Sequence, residues 1–216
     1  MIRTAPEGKW FIVGAWLIAA VLFWIAASRG GAGWWAAAIG WLALGVWVVA
    51  FFRDPQRRWN LGDGIVVAPA DGKVVSVTET DEPAFFGGRA VRISIFMNVF
   101  DCHVNRYPTG GTVAYRHYHA GKFLHAASEK SSLDNEQSSV GLTTSRGKVL
   151  VRQIAGLIAR RIVTDHPVGT VVRQGQRLGM IRFGSRVDLF LPVGTRPTVR
   201  VGDTTRVGVT VVAEWS

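Results

Sequence analysis

Cysteine is almost absent from this chain: Cys102 is the only one among 216 residues. No internal disulfide can form, and a lone thiol suits a reducing compartment. Acidic residues are scarce as well. Fifteen Asp and Glu stand against 25 Lys and Arg, leaving a net charge of +10. Nucleic acid is one partner for such a charge, but no helix-turn-helix pattern, RNP motif or zinc-finger spacing is present to support it. There is no GxGxxG, P-loop, HExxH or GxSxG either, which argues against dinucleotide, nucleotide, zinc-protease and α/β-hydrolase chemistry. Internal repeats and low-complexity segments are missing too.

Charge is missing altogether from two stretches. Trp10–Ser28, "WFIVGAWLIAAVLFWIAAS", and Trp34–Phe52, "WWAAAIGWLALGVWVVAFF", contain no ionisable residue. Each would be about 28 Å long as a helix, close to the thickness of a bilayer's hydrocarbon layer. Seven of the nine tryptophans lie in them, and Trp10, Trp34 and Trp35 sit at their ends as interfacial anchors do. A cleaved signal peptide would have a shorter apolar core and no second run five residues on. The pair therefore predicts a membrane hairpin over 1–53, spanning the bilayer or lying within one leaflet. Arg3 and Lys9 precede it, Arg53, Arg57 and Arg58 follow, and only Arg29 falls in the loop. By the positive-inside rule the remainder is cytoplasmic, at the inner membrane of the cell. The juxtamembrane cations, Arg57 and Arg58 among them, suit an anionic lipid surface.

Residues 54–64 read as a polar linker. From Ile65 to the C-terminus the pattern is β, with short β-branched runs punctuated by Gly and Pro. "GIVVAPADGKVVSVTET" gives two runs around a turn at 69–72. "GGTVAYRHYHAG" alternates, with Val113, Tyr115, His117 and His119 on one face. Ser128–Ser139 reads as a polar loop, and only Ile154–Val163 could be helical. The expected fold is mainly β: a compact antiparallel sandwich or barrel over 65–216 behind the α-helical hairpin.

Candidate chemistry is thin when each motif is read alone. Asp71 in "PADGKV" suits an ordinary type I turn. "FDCHVNRYP" read as a strand puts Asp101, His103 and Asn105 on one face, yet a histidine in such a place is more often a hydrogen-bonded structural residue. His117, His119 and His125 crowd together without a persuasive third ligand, so no metal is expected. His166, before Pro167, reads as a solvated turn residue.

Taken together, "FFRDP" (51–55), "PADGKV" (69–74), "MNVFDCHVNRYP" (97–108), "GKFLHA" (121–126), "NE" (135–136) and "RFGSRVDLFLP" (182–192) resemble the short form of the phosphatidylserine decarboxylase family. The resemblance implies a self-processing proenzyme that cuts itself between Gly184 and Ser185. The Ser185 hydroxyl attacks the Gly184 carbonyl, and the resulting ester is expelled by β-elimination. Ser185 is left as an N-terminal pyruvoyl group, the covalent pyruvate cofactor. It forms a Schiff base with phosphatidylserine and releases CO2 to give phosphatidylethanolamine. A large chain, 1–184, and a small chain, 185–216, stay associated as a heterodimer, with higher homo-oligomers left open.

The family pattern assigns Asp71, His103 and Ser185 to a set resembling a protease triad. Long-form members carry a second histidine three residues after His103, where this chain has Arg106. His103 then serves both steps, or His117, His119 or His125 fills the gap. Arg106 and Arg186 are candidates to hold the lipid phosphate. Two alternatives remain: a pyruvoyl decarboxylase for another head group, and a non-catalytic adaptor like lipoyl or biotinyl domains, with Lys73 on a hairpin tip.

Overall fold

The computed structural model describes residues 3–121, 135–156, 161–182 and 185–216. The chain divides into two compact units, Met1–Gln56 and Arg57–Ser216. In the first, α1 (Lys9–Arg29) and α2 (Ala32–Phe51) match the two uncharged runs to within two residues. Gly30 and Gly31 reverse the chain between them with φ of 67° and 93°, which a residue bearing Cβ adopts at a cost. The helices meet through small residues, Ala15, Ala19, Ala26, Ala38 and Gly45, and Trp41 Nε1 donates to the Ala15 carbonyl at 3.0 Å. Trp10, Leu17, Trp24 and Ile39 point outward. Apolar on every face, both helices are long enough to cross a membrane.

Among the described residues the second unit is all β. Its strands are β1 (Ile65–Val67), β2 (Gly72–Glu82), β3 (Gly88–Met97), β4 (Val104–Arg106), β5 (Gly111–His119), β6 (Gln137–Thr144) and β7 (Gly147–Ala155). They continue with β8 (Ile162–Thr164), β9 (Val171–Val172), β10 (Arg177–Ile181), β11 (Ser185–Pro192), β12 (Arg196–Pro197), β13 (Thr204–Thr205) and β14 (Val211–Glu214). An eight-stranded antiparallel sheet runs β13-β2-β3-β11-β7-β6-β5-β9 and curls into a half-barrel. Two three-stranded sheets, β4-β10-β8 and β1-β14-β12, complete the unit.

Strand β11 shows how the sequence produces this. Its residues alternate, and both sides of the sheet are covered. Val187, Leu189 and Leu191 enter the main core with Ile93, Ile95, Leu142 and Val151. Each such side chain contributes about 1.5–3 kcal/mol by leaving water. Phe190 packs on the opposite face with Ala90 and Leu150. Arg186 and Asp188 share that face and pair with each other at 2.6 Å. Arg152 and Glu82 form a second buried ion pair, at 2.7 Å.

Several expectations are corrected. Ile154 and Ala155 end β7, and Ile162 and Val163 belong to β8, so the described ends of Ile154–Val163 are strand and not helix, their β-branched and apolar residues completing sheet ladders; residues 157–160 lie outside the described residues. Residues 98–103 form a turn, and only Val104–Arg106 of "FDCHVNRYP" is a strand, so the shared face of Asp101, His103 and Asn105 does not exist. Gln137–Ser139 belong to β6 and not to a polar loop; residues 128–134 of that stretch lie outside the described residues. The "PADG" turn does not make a hairpin. It sends β1 to β14 and β2 to β3, and Lys73 lies within β2 opposite Phe96 instead of on a tip. That removes the hairpin-tip lysine a lipoyl-like adaptor would need.

Gly72 closes the same turn against β3. Its φ is 145°, and a Cβ there would stand 2.1 Å from the Phe96 carbonyl oxygen. Gly87 has φ of 76° but open space around it. Gly72→Ala is expected to lower the stability of the β unit by about 2 kcal/mol or more, and Gly87→Ala by about 1 kcal/mol, in urea unfolding followed by circular dichroism. Equal losses would show that the approach to Phe96 does not constrain the turn.

Candidate active site

Ser185 is the first residue of β11, with Met97 of β3 on one side and Ala155 of β7 on the other. It is fully buried, and its Oγ has no hydrogen-bond partner among the described residues. A buried hydroxyl left unsatisfied costs roughly 1–3 kcal/mol, so its retention in the middle of a sheet points to chemistry. Gly184, the other half of the expected cleavage site, lies outside the described residues.

The neighbouring polar groups form a relay between two sheets. Asn105 Nδ2 lies 3.6 Å from Met97 Sδ, and Asn105 Oδ1 accepts from Gln153 Nε2 at 2.8 Å. Thr164 Oγ1 donates to Gln153 Oε1 at 3.1 Å, and Ser138 Oγ stands 2.8 Å from Thr164 Oγ1. This network ties β4 and β8 of the small sheet to β3, β6 and β7 of the large one. Gln153 carried a signal in the sequence that was overlooked: a neutral polar residue within the otherwise mostly apolar "VLVRQIA".

His103 precedes β4 and is fully buried. Its Nδ1 stands 3.0 Å from the Asp101 carbonyl oxygen, which can only accept. In the neutral ring Nδ1 therefore carries the proton, and Nε2 is the basic nitrogen. The Ile181 N–H donates to the His103 carbonyl at 3.4 Å. The histidine is thereby fixed to the end of β10, four residues before Ser185.

Asp71 sits at the same end of the large sheet. Lys73 pairs with Phe96, and Met97 with Ser185, so the "PADG" turn is about two strand spacings, roughly 10 Å, from Ser185. Arg57 grips the carboxylate with two donors, at 2.5 and 2.7 Å, and the Val207 N–H donates to Oδ1 at 2.7 Å. A protease-type relay would place Asp71 on His103 Nδ1. Here Asp71 faces Arg57, and His103 Nδ1 faces the Asp101 carbonyl. Arg57 was expected at the lipid surface; its side chain is only 20% exposed, because the carboxylate holds it. Nothing in "RDPQRRW" separates it from Arg58, which is exposed.

The two candidate phosphate-binding arginines are both committed elsewhere. Arg106 donates to the Gly175 carbonyl at 3.0 Å and lies 4.6 Å from the Trp59 ring centroid. Arg186 is 1% exposed and bonds Asp188 and, at 2.8 Å, Ser94 Oγ. His117 and His119 are exposed on β5, and His125 lies outside the described residues. Among the described residues no group of three His, Cys, Asp or Glu could hold a metal. His166 is half-buried and not simply solvated. Its ring meets the Tyr107 hydroxyl at 3.3 Å and Gln176 Nε2 at 3.0 Å. Burial, and next the Asp165 carboxylate, push the Tyr107 hydroxyl up to about 12, so it stays a protonated donor.

The Arg57–Asp71 pair predicts a coupled response. Arg57→Met strands a buried carboxylate and should cost about 3 kcal/mol of stability. Adding Asp71→Leu should recover most of that loss in urea unfolding. Additive losses would show that the two side chains do not act as a pair.

Residues 44–213 match the phosphatidylserine decarboxylase family. A phosphatidylserine decarboxylase proenzyme of Symbiobacterium thermophilum is 46% identical over 209 residues, covering 96% of this chain and 94% of its own length. Proenzymes of the same name from Nitrobacter winogradskyi and Ruegeria pomeroyi are 45% and 42% identical, each across 97% of this chain and across 83% and 94% of their own lengths. Matched by the family model over residues 44–213 and by proenzymes 42–46% identical across nearly all of its length, the chain belongs to the phosphatidylserine decarboxylase family.

Proposed function

We propose that this chain decarboxylates phosphatidylserine to phosphatidylethanolamine at a membrane surface, using a pyruvoyl group that it makes from its own Ser185. The observation that carries the proposal is the buried, unsatisfied Ser185 hydroxyl at the head of the central strand. In this reading His103 Nε2 takes the hydroxyl proton, and Ser185 Oγ bonds to the Gly184 carbonyl carbon as the peptide C–N bond breaks. Loss of the Ser185 α-proton then expels the Gly184 carboxylate. Hydrolysis of the remaining dehydroalanine releases ammonia and leaves a ketone. That ketone supplies a sink for the electron pair freed when the substrate's carboxylate leaves as CO2. His103 Nε2 returns a proton to the substrate carbon.

Asp71 acts as a positioning residue in this scheme. With Arg57 and the Val207 N–H it locks the turn that sets β2 against β3, beside Met97 and Ser185. To hold a phosphate, Arg106 would have to give up Gly175 and Trp59, and Arg186 would have to give up Asp188 and Ser94. Both are therefore assigned to the scaffold.

The sheet also supports a two-chain product. In a small chain of 185–216, β11 pairs with β3 and β7, β13 with β2, and β14 with β1, so every one of these contacts reaches into the large chain. The two apolar helices would keep the enzyme at the bilayer holding its substrate. Arg3, Lys9, Arg53 and Arg58 around them favour a cytoplasmic β unit.

The test is CO2 release from phosphatidylserine vesicles together with a denaturing gel. The parent should run as two chains and release CO2. Ser185→Ala should stay one chain and release none. His103→Ala should slow processing at least 100-fold. CO2 release by an uncut Ser185→Ala protein would overturn the proposal.

A further inference from the structure

The Ser185 end of the large sheet can be traced strand by strand. Lys73 stands opposite Phe96, Ser185 opposite Met97 and Ala155, and Gln137 opposite Ile154 and His119. Two kinds of exposed side chain at this end bear on a lipid surface. Lys73 and Arg161 are exposed cations, and Phe100 and Tyr118 are aromatics at 71% and 58% exposure. The local acids are withdrawn: Glu136 is buried and accepts from the Tyr118 hydroxyl at 2.8 Å, and Asp101 is half-buried and accepts from the Asn98 N–H at 2.8 Å. Of the exposed acids, Glu79 and Asp81 lie toward the opposite end of β2, while Asp203 adjoins Lys73 and accepts from the Arg200 N–H at 2.8 Å.

Single exposed apolar residues are ordinary, and Val171 and Val201 need no explanation. Phe100 differs in how it is held. The Phe100 N–H donates to Asn98 Oδ1 at 2.8 Å, and the Asp101 N–H donates to the Asn98 carbonyl at 3.0 Å. These bonds make a closed turn whose backbone is satisfied internally. The ordering cost of presenting the ring is already met in the fold. The turn stands three residues before His103. An aromatic ring on a rigid turn, at an end that carries two exposed cations and, among the described residues, the exposed acid Asp203 beside Lys73, has the chemistry of a surface that meets anionic head groups and the acyl boundary beneath them.

We propose that the Ser185 end of the β unit docks on an anionic bilayer, with Phe100 inserted at the acyl boundary and Lys73 and Arg161 over the head-group phosphates. This rests on the reading of phosphatidylserine as substrate, and deepens it: the lipid's serine head group reaches the Ser185 position while its acyl chains stay in the membrane.

The test uses the full chain in vesicles of phosphatidylcholine and phosphatidylserine. Phe100→Cys in a Cys102→Ala background is labelled with an environment-sensitive fluorophore, and Val193→Cys at the far end of β11 serves as the control. Nitroxide lipids should quench the label at 100 and spare the label at 193. Phe100→Ser should raise the KM for phosphatidylserine, expressed as mole fraction, about tenfold, with kcat and self-processing unchanged, and Phe100→Trp should retain the parental KM. Lys73→Glu with Arg161→Glu should raise the same KM. A label at 100 reached only by aqueous quenchers, with KM unchanged in Phe100→Ser, would overturn the docking proposal while leaving the decarboxylase reading intact. Failure of the parent to release CO2 would sink that reading instead, and the quenching would still decide the docking.

Discussion

Everything in the β unit depends on where β11 starts. A reactive serine on a loop would be easy to reach and easy to misplace. Here it is the first residue of a central strand, clamped by β3 and β7 and buried on both sides. Among the described residues every pair of β11 lies at or after Ser185, so a cut before it would leave those strand contacts on the C-terminal side. Under the proposed processing the cut would remove a covalent link and leave the strand in register. The packing that holds the serine would then hold the new N-terminal group, so a prosthetic group made from the backbone could remain in place.

The polar groups around Ser185 divide into separate assemblies, each with its own job. The amide and hydroxyl chain from Asn105 through Gln153 to Thr164 and Ser138 joins the small sheet to the large one. It keeps the strand that follows His103 in a fixed relation to the strand that begins with Ser185. The Arg57–Asp71 pair locks the turn two strands away. Arg186 and Asp188 satisfy each other on the face opposite Ser185. Burying such pairs stabilises little in itself, but removing one partner costs a great deal, so each acts as a constraint on geometry.

Much of this was legible in the sequence. The uncharged runs gave two helices because each is apolar on every face and long enough to cross a membrane. Alternation and glycine punctuation gave a β unit. The ordered motifs pointed to the phosphatidylserine decarboxylase family, to which the chain belongs. Long-range pairing was not legible. "FDCHVNRYP" looked like a strand because its residues alternate, but Asn98 and Asp101 bend the chain before the strand can start. Ile154–Val163 looked helical because apolar periodicity over a short run does not separate helix from buried strand. Arg57 looked like a surface cation because its partner, Asp71, is 14 residues away on another element. For the same reason the arginines beside the motifs, Arg106 and Arg186, looked available when the fold had already engaged them.

The most direct test of the account is intact-mass spectrometry of the purified protein under denaturing conditions. The account predicts two chains that divide after Gly184, the smaller lighter by one ammonia than a peptide beginning with serine and resistant to Edman sequencing. A single uncut chain in a preparation that releases CO2, or a small chain with a free N-terminal serine, would contradict it.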